Sequence, residues 1–147
     1  MLLFSACSLK NYEQTDSKIF IIKSPKIRFA DLAYVRHSEK DIEVELFVAG
    51  RVINKIDINH LVCVNEGCMR KSSFNKDYLN ASYPDDLLQN IILGHKIYAG
   101  KNSINSSDGF TQKIKTKDVD IEYIVSRGVI SFKDRKNRII FKIKDVK

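Results

Sequence analysis

The sequence predicts a mainly β domain of the α+β type, a curved antiparallel sheet packed on a short helical insert, and three observations carry that expectation. Apolar residues alternate with polar ones in many short segments, as in "IEVELFV", where Ile42, Val44, Leu46 and Val48 share one face and Glu43 and Glu45 the other. Turn signals such as "HSEKD", "AGR", "NEG", "SRG" and "KDRKN" separate those segments, and connections this short make neighbouring strands antiparallel. Only one good helical stripe interrupts the pattern, between two clusters of strands. Each apolar face needs the other for burial.

Taken in order, "KIRFADLAYVRH" is extended, with its alternation broken near Asp31 in the manner of a bulge or a bend. The strand at 42–48 follows, and then one marked by Val52, Ile56 and Ile58. In "LVCVNEGCMRK" a tight hairpin at Asn65, Glu66 and Gly67 sets Cys63 opposite Cys68 on adjacent strands, a placement that permits a disulfide. Phe74 and Tyr78, four apart, suggest a short helical piece. "SYPDDLLQNIILGHK" is the clear helix: Pro84 at a first helical position, Asp85 and Asp86 at the positive dipole end, a Leu87, Leu88, Ile91, Ile92 stripe and Gly94 as the stop. "AGKNSINSSDG" reads as a polar loop. Three strands close the chain, marked by Ile121, Tyr123 and Val125, by Ile130 and Phe132, and by Ile139, Phe141 and Ile143.

At 147 residues, 44% apolar and 29% charged, the chain has the size and composition of one folded domain, and no apolar run approaches the roughly 20 residues that span a bilayer. Residues 1–17 stand apart from a domain at 18–147. The opening Phe4, Ser5, Ala6 and Cys7 resemble the lipobox of a bacterial lipoprotein signal. The Cys7 thiol would then be acylated, and Ser8 resembles an outer-membrane sorting signal. The polar stretch after it has the composition of a tether. An incidental cysteine in an unstructured N-terminus is the alternative. A metal site at Cys63 and Cys68 with His60 and His95 is the alternative to a disulfide there, though Cys-x4-Cys is not a zinc spacing.

Enzymatic chemistry finds no constellation to support it. His37, His60 and His95 are scattered, and there is no phosphate loop, nucleophile elbow, Cys-x-x-Cys or cofactor motif. The formal charge of +7 gathers in part at the last hairpin, where Lys133, Arg135, Lys136 and Arg138 stand with Asp134 among them and Asp145 further along. Such residues suit an anionic membrane surface, at about 1 kcal/mol each. They also suit a solvated edge that discourages strand association. The absence of interleaved aromatics argues against nucleic acid.

The order and pattern of "IEVELFVAGRVINKIDIN", "YPDDLLQNIILGHKIY" and "GVISFKDRKNRIIFKIKDVK" resemble the LolB-like outer-membrane lipoproteins, relatives of the periplasmic carrier LolA. That resemblance implies an incomplete β-barrel plugged by helices around an apolar cavity for lipoprotein acyl chains. It also implies an exposed insertion loop, here Val48, Ala49 and Gly50. The family has a further helix where this chain has "AGKNSINSSDG", so its plug would be reduced here. The residues expected to line the cavity are Phe29, Val44, Leu46, Ile56, Leu88, Ile91, Ile92, Tyr123, Phe132 and Phe141, and an ordinary packed core is the alternative for all of them. The function expected is that of a lipid-anchored protein on the periplasmic face of the outer membrane. It would take acylated lipoproteins from a LolA-like carrier, hold their acyl chains and aid their insertion, using no cofactor and no nucleic acid. A structural lipoprotein with a β-sandwich-like fold, binding another envelope protein, is the competing expectation.

Overall fold

A computed structural model of the protein describes residues 14–48, 51–65 and 67–146. Six strands come first: β1 Gln14–Lys23, β2 Arg28–His37, β3 Ile42–Val48, β4 Arg51–Ile58, β5 Val62–Val64 and β6 Gly67–Met69. Two short helices follow, α1 Lys71–Tyr78 and α2 Leu87–Leu93, and then β7 Ser103–Ser106, β8 Gly109–Lys115, β9 Asp120–Ser126, β10 Val129–Asp134 and β11 Ile139–Asp145. All eleven strands form one curved, unclosed antiparallel sheet in the order β6-β5-β4-β3-β2-β1-β11-β10-β9-β8-β7. Two meanders are therefore zipped together where β1 pairs with β11. The free edges are β6 and β7, and the chain between them is the helical insert, which leaves from one edge and returns at the other.

Register explains why one face of this sheet is apolar. Phe20 and Ile22 of β1 lie opposite Ile143 and Phe141 of β11. Phe141 lies opposite Phe132 of β10, and Phe132 opposite Tyr123 of β9. On the other side, Val35 is opposite Val44, Val44 opposite Ile56, and Ile42 opposite Ile58. Because side chains alternate strictly along a strand, this register carries a buried face across the sheet between the exposed edge strands β6 and β7. It joins Leu87, Leu88, Ile91 and Ile92 of α2 and Phe74 of α1 in a single core cluster. Each such side chain fully buried contributes about 1.5–3 kcal/mol.

The outward face is polar where it faces water. Arg36 on β2 binds Glu43 at 3.0 Å and also Glu45, and Lys55 on β4 reaches Glu43 at 3.0 Å, so the acidic face of β3 is neutralised by its two neighbours. At the β5–β6 hairpin Cys63 and Cys68 are in register and joined by a disulfide. Closing so short a loop contributes about 2 kcal/mol in the chain-entropy view. Their sulfurs are then not available as metal-ligating thiolates.

Several sequence expectations are corrected. β1 begins at Gln14, four residues before Lys18, because Gln14 to Ser17 continue the ladder with His37 to Tyr34; cross-strand pairing overrides a tether-like composition. The β1–β2 ladder runs without a break through Asp31, so there is no bulge there. Asp31 occupies an inward register position opposite Phe20 but remains exposed, with its Oδ1 accepting from the Leu32 N–H at 2.7 Å. The register shift lies instead between Leu46 and Phe47, beside the β3–β4 turn. Helix α2 starts at Leu87, since Pro84, Asp85 and Asp86 form a turn in which the Leu87 N–H donates to the Pro84 carbonyl at 3.1 Å. Gly94 does end it, in the left-handed conformation at φ 69°. "AGKNSINSSDG" is not only a loop: Ser103 to Ser106 form edge strand β7, paired to β8 across the Ser107, Asp108 turn. Strand β8, which the alternation did not single out, carries Gln112 and Ile114 inward.

Candidate ligand groove and its two rims

Three polar anchors attach the insert to the sheet. On β10, Asp134 follows Phe132 at an inward position and is fully buried. Its Oδ2 accepts from the Tyr83 hydroxyl and from Asn137 Nδ2, each at 2.6 Å, while Oδ1 accepts from the backbone N–H groups of Asp120, Lys136 and Asn137 at 3.1–3.3 Å. Burial alone pushes this carboxyl up, but the donors from Asn137, Tyr83 and the backbone outweigh it and hold it below the usual aspartate range. Tyr83 is in turn pushed well above the usual tyrosine value by burial and by Asp134.

The second anchor is Gln112 on β8, also fully buried. Its amide donates to the carbonyls of Ile97 at 2.8 Å and Lys101 at 2.7 Å, and its Oε1 accepts from the Ile97 N–H at 2.9 Å. It clamps the backbone at both ends of a turn in which Tyr98, Ala99 and Gly100 all have positive φ, at 49°, 54° and 79°. Non-glycine residues in that region cost about 1–2 kcal/mol each, so the turn needs such a clamp. The third anchor is the Tyr123 hydroxyl on β9, which donates to the His95 carbonyl at 2.8 Å just past the end of α2. A further bond joins Asn80 to Asn137 at 2.8 Å. All of these partners lie on β8 to β10 and the β10–β11 turn.

Opposite, toward β1 and β2, the insert leaves an open groove of about 460 Å³. Val35, Ile92, Leu93 and Ile130 form its apolar wall, while Asp16, Lys18, His37, Glu39 and His95 ring its mouth. A second hollow of about 180 Å³ shares Lys18, Leu93 and Ile130 with it and adds Gly94, Val125 and Ile143. The two hollows lie side by side at the C-terminal end of α2. Gly94 lets the end of α2 approach the sheet closely: a Cβ there would stand 3.3 Å from Ile130 Cδ1, and the positive φ itself favours glycine.

The ten residues expected to line a cavity all belong to the one buried cluster. Phe132 packs edge to face against Tyr83, Tyr123 and Phe141 at ring-centroid distances of 6.0, 6.3 and 5.9 Å, so those rings fill the interior rather than line a space. Of the ten, Ile92 reaches the groove, and Phe29, Val44, Leu46, Ile56, Leu88, Ile91, Tyr123, Phe132 and Phe141 lie behind it. Val35, Leu93, Val125, Ile130 and Ile143 were not singled out as lining residues. Their inward parity was readable in the sequence, but their position at a rim was not. Buried Gln112 and Asp134 had a readable signal too, as polar residues at inward positions two away from Ile114 and Phe132.

At the other rim, Lys133 near the end of β10 and Arg135, Lys136 and Arg138 in the β10–β11 turn are exposed, as is Val48 at the end of β3. Ala49 and Gly50, expected in the insertion loop, and Cys7, expected to carry lipid, lie outside the described residues. His60 and His95 are exposed, and no group of three or more potential metal ligands occurs among the described residues. Among those residues, too, no helix is long and apolar enough to cross a membrane. Compared with known proteins, the chain matches no family model, no curated protein and no solved structure.

Proposed function

We propose that the protein is a LolB-like receptor for acyl chains, an incomplete barrel whose apolar interior accepts the lipid part of a lipoprotein through the groove beside α2. The observation that carries this reading is the groove itself: an apolar wall of Val35, Ile92, Leu93 and Ile130 behind a polar mouth, with Val35 and Ile92 belonging to the core cluster and Leu93 and Ile130 packed against it. An amphipathic ligand matches that arrangement, with its chain inside and its headgroup among Lys18, His37 and His95. Burial is the whole mechanism. Each methylene taken from water contributes about 0.8 kcal/mol, and no bond is made or broken.

Filling the interior requires the helices to yield. The Ser24–Tyr78 bond ties the end of α1 to the β1–β2 turn, while α2 meets β2 through apolar side chains, so α2 is the element that would move while Asp134, Gln112, Tyr123 and Ser24 keep the insert on the sheet. In the cell this reading places the protein on the periplasmic face of the outer membrane, held by lipid on Cys7, with a LolA-like carrier as donor. The exposed Val48 and the basic β10–β11 turn would face the membrane. The test is titration of the full chain with a fluorescent fatty-acyl probe and a triacylated peptide. Saturable binding with one site and a constant between roughly 1 µM and 1 mM is expected. Absence of saturable binding would leave the competing reading, a scaffold that binds another envelope protein.

A further inference from the structure

At the rim opposite the groove, two turns that are far apart in the sequence meet around a depression of about 590 Å³. Lys23 and Arg28 reach it from the β1–β2 turn, and Lys133, Arg135 and Arg138 from β10 and its turn. Its sole carboxylate is Asp134. In the sequence Asp134 and Asp145 dilute the basic run, but in the fold neither does. Asp134 is buried and spends both oxygens on five donors, and Asp145 lies at the far end of β11, bonded to Lys18. No acidic side chain lies within 4.0 Å of any of the five cations among the described residues.

Both turns are held rigid from behind. The Ser24 hydroxyl donates to the Tyr78 carbonyl of the insert at 2.9 Å and accepts from the Ile27 N–H at 3.1 Å, closing the β1–β2 turn. The Asp134 network does the same for the β10–β11 turn. Five like charges brought together on two fixed turns repel one another, and although Glu122 stands opposite Lys133 and lines a hollow with Asp120 and Arg135, no ion pair among the described residues answers them. A multivalent oxyanion would, by accepting charge-assisted hydrogen bonds from three arginines and two lysines.

We infer that this depression is a binding site for a phosphate group. The depression also holds Ile140 and Pro25 beside the cations, which suits a phosphodiester carrying an organic arm. A phospholipid headgroup is the source that the membrane-facing reading favours, and only that choice of source rests on it. The site stands on the two turns and is separate from the acyl groove.

The experiment uses the full chain and three probes: inorganic phosphate, soluble glycerophosphoglycerol, and phosphatidylcholine vesicles containing about one third phosphatidylglycerol. R28Q/K133Q removes two of the cations without touching the turn residues, and K40Q/K101Q removes two exposed cations elsewhere. Vesicle binding is expected to weaken about 25-fold in R28Q/K133Q, at roughly fivefold per cation, and less than about threefold in K40Q/K101Q. R28K is expected to retain most of it. Amide signals of Arg28 and Arg135 should shift saturably. Shifts with glycerophosphoglycerol and vesicles that exceed those with inorganic phosphate mark a lipid headgroup site, and equal shifts with inorganic phosphate mark a site for the free ion. Equal loss in the two double variants, or no saturable shift with any probe, overturns the site. Acyl-probe affinity should be unchanged in R28Q/K133Q, so failure of the phosphate site and failure of the acyl groove are read separately.

Discussion

The two sides of the helical insert are held to the sheet by different physics. Toward β8, β9 and β10 the attachment is polar, buried and directional, through Gln112, Tyr123 and Asp134. Toward β1 and β2 the wall of the groove is apolar, with Val35 across from Ile92 and Leu93. Buried hydrogen bonds fix a geometry and leave costly orphans when broken, whereas apolar contacts can be exchanged for others of the same kind. A ligand that is itself apolar can replace the second sort and not the first. The difference makes the contact of α2 with β2 the softer of the two, although the Ser24 hydroxyl also ties the end of α1 to the β1–β2 turn.

The largest effect in that comparison belongs to Asp134→Ala, which strands the Tyr83 hydroxyl, the Asn137 amide and three backbone N–H groups. A loss of about 3–4 kcal/mol is expected in chemical denaturation. The same carboxylate sets an acid limit. Because its folded value is depressed, its contribution is complete above the unfolded value near 4 and disappears as pH falls through the folded one. Stability of the D134N variant should therefore fall less steeply than that of the natural sequence in this acid range.

Gln112→Ala comes next, at about 2–3 kcal/mol, since it frees both backbone groups of Ile97 and the carbonyl of Lys101 beside a left-handed turn. Amide exchange over residues 97–102 should rise more than elsewhere. On the apolar side, Val35→Ala should cost only about 1–2 kcal/mol but change acyl-probe affinity, because it alters the groove wall. A variant that loses stability there without changing probe binding would break the comparison.

The smallest effect appears at alkaline pH. Burial, with Asp134 and Asp118 nearby, pushes Tyr98 up to about 12, and burial pushes Tyr83 and Tyr123 up as well. Raised values of this kind give stability that is complete below the unfolded tyrosine value near 10 and is lost as pH rises through the folded values. A shallow decline above pH 10 is expected. In ultraviolet titration of the six tyrosines, Tyr83, Tyr98 and Tyr123 should ionise late.

What the sequence disclosed follows from how local each cause is. Alternation in "IEVELFV" and the Leu87, Leu88, Ile91, Ile92 stripe state their buried faces directly, and the Cys63, Cys68 register follows from a tight hairpin in which Gly67 pairs with Val64. Edge strand β7 was hidden because Ser103 to Ser106 are polar or exposed, Ile104 included, and only pairing with β8 makes them a strand. The first turn of α2 was misread because Pro84 and two aspartates serve a turn as well as a helix start. The groove depends on how far α2 sits from β2, which no spacing within either segment encodes. The proposed phosphate site had Lys133, Arg135 and Arg138 in plain view, but Lys23 and Arg28 join them only through the β1–β11 and β1–β2 ladders.

The central claim is that an acyl chain enters beside α2. Photo-crosslinking of the full chain with a diazirine-bearing fatty-acyl probe, followed by mass-spectrometric mapping, tests it most directly. Labels on Val35, Ile92, Leu93 and Ile130, displaced by unlabelled fatty acid, are the expected result. Labels confined to the outward face, at Ile19 or Ile124, or no displaceable label at all, would contradict it.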